Sequence, residues 1–203
     1  PTFNPLVIVR MVSRPVLGVL LLLMFAQQVI FFGFEALLGL FTLSRLGLLG
    51  QGNAIIFLLV GAVLVYVQIR RIGPWTHKYG EHRLVQASLG LLALGLLLFA
   101  FTPEQPQPFY VRQIVLEQLS NQAPGGTQAV IGDIAIELPE DGNNGIVGVL
   151  WVLVAVTPVA VGAGLIRPSL NSLMTRHVGS ADFGSVLGVS TAFVSAANAV
   201  API

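Results

Sequence analysis

Five apolar runs, separated by short polar or glycine-punctuated segments, dominate the chain. They lie near residues 15–43, 53–72, 84–101, 146–166 and 184–203. An α-helix needs about 20 apolar residues to cross the hydrocarbon core of a bilayer, and each run meets or approaches that length. The pattern predicts an all-α membrane protein with five transmembrane helices. The first run, GVLLLLMFAQQVIFFGFEALLGLF, is long enough to tilt. Pro158 falls inside the fourth and is expected to kink it, which a bundled helix tolerates. Residues 73–83, Gly-Pro-Trp-Thr-His-Lys-Tyr-Gly-Glu-His-Arg, make a basic loop between the second and third runs. Gly73 is expected to end one helix there, and Gly80 to permit the reversal into the next, because glycine enters left-handed conformations cheaply. Residues 102–145 form a long loop. Within it, Phe109–Leu119 and Thr127–Leu138 are rich in β-branched residues and flank Ala-Pro-Gly-Gly at 123–126, which predicts a small β-hairpin.

Composition agrees with the membrane reading. Of the 203 residues, 55% are apolar and 9% charged, and the mean hydropathy is +0.84. Ordinary soluble domains carry charge on about 25% of residues. A charge at the bilayer centre costs roughly 2.5–3.5 kcal/mol on insertion scales, so a lipid-facing surface explains the deficit. The absence of cysteine excludes disulfides and thiolate metal sites. A net charge of +1 offers no concentrated basic face for nucleic acid. The chain starts at Pro1 without a signal peptide and stops at Ile203 inside an apolar run, so it is expected to be a fragment truncated at both ends.

Cations order the topology, because positive residues stay on the cytoplasmic side. Arg10 and Arg14 precede the first run. Arg70, Arg71, Lys78 and Arg83 lie between the second and third, and Arg167 and Arg176 between the fourth and fifth. These eight fall on one alternating side, leaving Arg45 and Arg112 opposite. The chain is therefore expected to begin in the cytoplasm, in a multi-pass protein of the cell (inner) membrane. Residues 102–145 would be external, and they hold six of the nine acids. This loop is read as ordered but passive, or as a lid or docking element.

No catalytic constellation is visible. The histidines, His77, His82 and His177, lack metal-site spacing. There is no nucleophile elbow and no phosphate-binding glycine motif, so neither an enzyme nor a cofactor nor a metal is expected. The candidates are polar residues within the spans. Gln27 and Gln28 lie towards mid-bilayer, where unpartnered amides are costly; they are expected to face a substrate cavity or to bond across helices. Glu35 is the one ionisable residue within a span. It lies about 20 residues, roughly 30 Å, beyond Pro15, near the outer interface. It is either an interfacial partner of Arg45 or a carboxylate that exchanges protons. Asn198 is a lesser candidate. Gly162, Gly164, Gly184 and Gly188 suit close helix packing. Lys78 and Arg83 can bind helix-terminal carbonyls, a neighbouring carboxylate or anionic lipid headgroups.

Gly73, Lys78, Gly80 and Arg83 resemble the loop signature of the major facilitator superfamily, with His77 at the position of its usual aspartate. Phe34–Leu38, followed by Leu46–Leu48, resembles the outer end of that family's seventh helix and the loop after it. Residues 162–171 look like the tenth helix running into its cytoplasmic loop. Phe183–Gly188 through Ala201-Pro202 looks like the eleventh, with Asn198 where related exporters often carry a basic residue. The likeness is closest to the drug-exporter and tetracycline-resistance-like branch. It implies helices seven to eleven of a twelve-helix transporter, hence five of the six helices in its C-terminal half. A small-molecule substrate, proton-coupled efflux by alternating access, membrane lipids and a missing N-terminal half are implied with it. With His77 in place of the acid, the loop is expected to serve topology and packing rather than gating. The alternative expectation is a non-transporting structural or assembly subunit acting through its external loop.

Overall fold

The computed structural model describes residues 13–122, 130–131, 134–135, 137–179 and 182–200. The elements in chain order are α1 (Pro15–Leu46), α2 (Gly50–Tyr66), a π-helical turn (Val67–Arg71), α3 (Ile72–Tyr79) and α4 (Glu81–Ala100). Then follow α5 (Arg112–Gln122), β1 (Val130–Ile131), β2 (Ile134–Ala135), α6 (Val147–Arg176) and α7 (Phe183–Val200). Taking α2, the π turn and α3 as one rod, five helices are long and apolar enough to cross a membrane. That is the make-up of a multi-pass helical membrane protein, in which each span satisfies its own backbone hydrogen bonds.

Two helices outrun the apolar runs that announce them. Gly73 does not end a helix: the backbone stays helical to Tyr79, and residues 73–79 are not a loop. Pro74 provides no N–H for the Arg70 carbonyl, and in a regular helix its ring would press on that carbonyl. The chain absorbs this one turn earlier, where the Ile72 N–H reaches back five residues to the Val67 carbonyl. The reversal is left to Gly80 alone, at φ +75°, a conformation costly for any side chain with a Cβ. Likewise α6 passes through both Pro158 and Pro168 to Arg176, so Arg167 is helical rather than in a loop.

The expected hairpin is also corrected. Residues 112–119 of the expected first strand, Phe109–Leu119, lie instead in helix α5, where Val115 and Leu119 at i, i+4 share one apolar face. Among the described residues the strand pairing is a two-residue ladder, Val130 with Ala135 and Ile131 with Ile134. The Ala-Pro-Gly-Gly turn at 123–126, Arg10 and the Ala201-Pro202 end lie outside the described residues.

The chain divides into two compact units. The first gathers Pro1–Glu35, Leu64–Leu92 and Val161–Ile203. Here α6 approaches α4 closely, since a Cβ on Gly162 would lie 2.7 Å from the Ser88 carbonyl oxygen and 3.1 Å from the Leu92 nitrogen. Gly164 rests against Leu64 and Val67. Phe25 of α1 meets Phe193 of α7 edge-on at 6.4 Å. Gly184 and Gly188, expected at a helix contact, have nothing within 4 Å of a built Cβ.

The second unit holds Ala36–Val63 and Ala93–Ala160. Gly95 brings α4 against Val159 and Ala155 of α6, and the Trp151 indole donates to the Leu98 carbonyl at 2.9 Å. Thr42 of α1 donates to Asn53 Oδ1 of α2 at 2.6 Å. The long loop is anchored here by a small core of Leu43, Tyr110, Val115 and Leu138. Gly47, at φ +62°, ends α1, and a Cβ there would collide with the Tyr110 ring. The Tyr110 hydroxyl donates to the Pro139 carbonyl at 2.9 Å, and Asn144 Nδ2 donates to the Tyr110 carbonyl at 2.8 Å. Burial, and next the Asp141 carboxylate, raise the Tyr110 phenol above its ordinary 10.0, with Arg112 opposing.

Candidate functional site

The first unit contains a cavity of about 540 Å³ bounded by α1, the π turn, the start of α3, and α6. Its polar lining comprises Gln27, Gln28, Gln68, Arg167 and Asn171. Phe31, Leu64 and Ile72, with Ala163 and Pro168, make the apolar wall. Each polar group has a local structural origin. Gln27 and Gln28 lie about 18 Å along α1 from Pro15 at the helical rise, and they are only 5% and 7% exposed. Gln68 belongs to the π turn, whose extra residue per turn changes which side chains face the cavity; such bulges recur at functional sites. Arg167 and Asn171 are four apart on α6 and so share a face.

Hydrogen bonding in the cavity is incomplete. Asn171 Oδ1 accepts from the Ser190 hydroxyl at 3.2 Å, which leaves its NH₂ group available. Gln27 Oε1 is buried with no hydrogen-bond partner among the described residues. An unpaired buried amide oxygen costs about 1–3 kcal/mol. Both glutamines line the cavity.

Glu35 and Asn198 are elsewhere. Both are exposed, and neither lines this cavity. Arg45, the partner suggested for Glu35, instead forms an ion pair with Glu104.

The corner at Gly80 is a second polar locus. Glu81 opens α4 with its side chain only 5% exposed, accepts from the Ser172 hydroxyl at 2.9 Å, and pairs with Arg176 Nη2 at 2.7 Å. The carboxylate also sits in the first turn of α4, where the helix dipole favours negative charge. The acid of this corner is therefore Glu81, not the residue at position 77. The partner cation comes from α6 rather than from the turn. Lys78 and Arg83 are exposed, with the Lys78 ammonium 5.2 Å from the Tyr79 ring. Arg71 Nε donates to the Tyr66 hydroxyl at 3.1 Å, and its guanidinium lies 5.9 Å from the Trp75 ring.

Gln68, Arg167, Asn171 and Glu81 were not singled out as site residues from the sequence. The usable signal for the α6 pair was Arg-x-x-x-Asn spacing, hidden because Pro168 suggests a loop. Among the described residues no group of three metal-ligating side chains occurs. Comparison with protein-family models, curated proteins and solved structures gives no match.

Proposed function

We propose that the chain is part of a secondary transporter of the major-facilitator type, moving a small molecule across the cell membrane by alternating access. The observation that carries this reading is the cavity of Gln27, Gln28, Gln68, Arg167 and Asn171 within helices that are otherwise apolar. Polar side chains in membrane helices are retained at a cost, and they mark substrate paths or helix contacts. Sites formed where helices depart from regular geometry are a recurrent transporter feature, and the π turn at Val67–Arg71 supplies such a departure beside the cavity. Energy would come from a proton gradient, as the resemblance implies. The end bearing the Gly80 turn would be cytoplasmic: Arg14, Arg70, Arg71, Lys78, Arg83, Arg167 and Arg176 all belong to the first unit, while Arg45 and Arg112 belong to the second.

These 203 residues contain no cysteine, so Asn171→Cys, in a full-length protein with any cysteine elsewhere replaced, gives a single reactive site. Alternating access predicts labelling by a membrane-impermeant maleimide from either face of sealed vesicles. Labelling from one face only would refute the transporter reading and favour a static membrane subunit.

A further inference from the structure

Taking that cavity as a substrate site, we infer that its ligand is a small organic anion with an apolar body. Charge leads the argument. Arg167 is the one charged residue lining the cavity, and no Asp or Glu lines it. Among the described residues Arg167 has no carboxylate within ion-pair distance. Glu81, the buried acid at the start of α4, is already engaged by Arg176 and Ser172. A guanidinium keeps its charge throughout the accessible pH range, and its planar fork matches a carboxylate or phosphate with two parallel hydrogen bonds. Arg167 is exposed where it lines the cavity, so its guanidinium is open to a partner. An anionic group carried in by the ligand supplies that partner.

The neutral groups sharpen the class. The NH₂ group of Asn171 and the carboxamides of Gln28 and Gln68 can donate to an anion. Gln27 Oε1, buried and unpartnered, accepts only. It is complemented by a ligand carrying a hydroxyl or N–H beside its anionic head. The Phe31, Leu64 and Ile72 wall accounts for the apolar body. The volume of about 540 Å³ falls among small-molecule pockets, roughly 300–1,000 Å³. A cationic substrate would face Arg167 with no acid in the lining to offset the repulsion.

Mandelate has the required parts: an aromatic ring, a carboxylate and an adjacent hydroxyl. Titrated calorimetrically into the purified full-length protein, it should bind at least tenfold more tightly than neutral mandelamide. Arg167→Gln should reduce mandelate binding to the amide's level, Arg167→Lys should keep the preference for acid over amide at a weaker affinity because the charge stays and the fork is lost, and Arg83→Gln should change nothing. Unaltered thermal unfolding of each variant excludes a folding defect. Equal affinity for acid and amide, or full affinity in Arg167→Gln, would overturn the inference. So would displacement of mandelate by phosphatidylglycerol mixed into the micelle, which would reassign Arg167 to lipid headgroups. Two-faced labelling at position 171 without mandelate selectivity leaves the transporter reading standing and removes this inference. Selective binding with one-faced labelling does the reverse.

Discussion

Tyr110 concentrates the order of the long loop in one side chain. It is 2% exposed, its hydroxyl holds Pro139, and its carbonyl holds Asn144. Its phenol is raised above 10.0 by burial and by Asp141, so the folded loop favours the protonated form. That stabilisation is complete below about pH 10, the unfolded phenol value, and is lost as pH rises through the higher folded value. Phenolate absorbance of the wild type should therefore show one late-titrating tyrosine, with loop protection against proteolysis falling in the same pH range. Tyr110→Phe should cost about 1 kcal/mol through the lost hydrogen bond and abolish that step. A step that persists in the variant would assign it to another group. At this scale the sequence was only partly legible. Gln27 and Gln28 stand out because amides in an apolar run need either a polar cavity or a partner on another helix. Arg167 and Glu81 do not, because a charge beside a proline or a glycine turn looks like ordinary solvated surface until its neighbours are known.

Between elements, the spans were legible and their ends were not. Hydrophobicity locates a helix only as far as the lipid does, whereas α3 and the last turns of α6 continue beyond the apolar runs on backbone hydrogen bonding. Gly-Pro at 73–74 and Arg-Pro at 167–168 look like stop signals, yet a π turn and neighbouring helices absorb them. Helix packing separates the glycines that share one appearance in sequence. Gly162→Val should destabilise by about 1–3 kcal/mol, because its new side chain meets the Ser88 carbonyl and the Leu92 backbone. Gly188→Ala, with nothing within 4 Å, should be neutral or stabilise by about 0.4–1 kcal/mol through reduced chain freedom. Thermal unfolding in one detergent compares them directly. Equal effects would mean that α4 and α6 do not pack through Gly162.

For the whole molecule, the testable quantity is the parity of spans between marked positions. Lys78 precedes Gly80, and Glu140 follows α5 and the two-residue ladder, so one long apolar helix, α4, separates them. His177, beyond α6, is separated from Lys78 by two such helices. With every helix crossing once, Lys78→Cys and His177→Cys must be labelled from one face of sealed vesicles and Glu140→Cys from the other. All three positions are exposed, and the chain has no other thiol. The cation distribution adds a direction. Residues 78 and 177 should react from the cytoplasmic face, since each Lys or Arg near an anionic leaflet is worth about 1 kcal/mol and seven described cations share their unit. Labelling of all three from one face would mean that neither α4 nor α6 crosses. The cavity would then lie at the membrane surface, where an unpaired Arg167 needs no anionic partner.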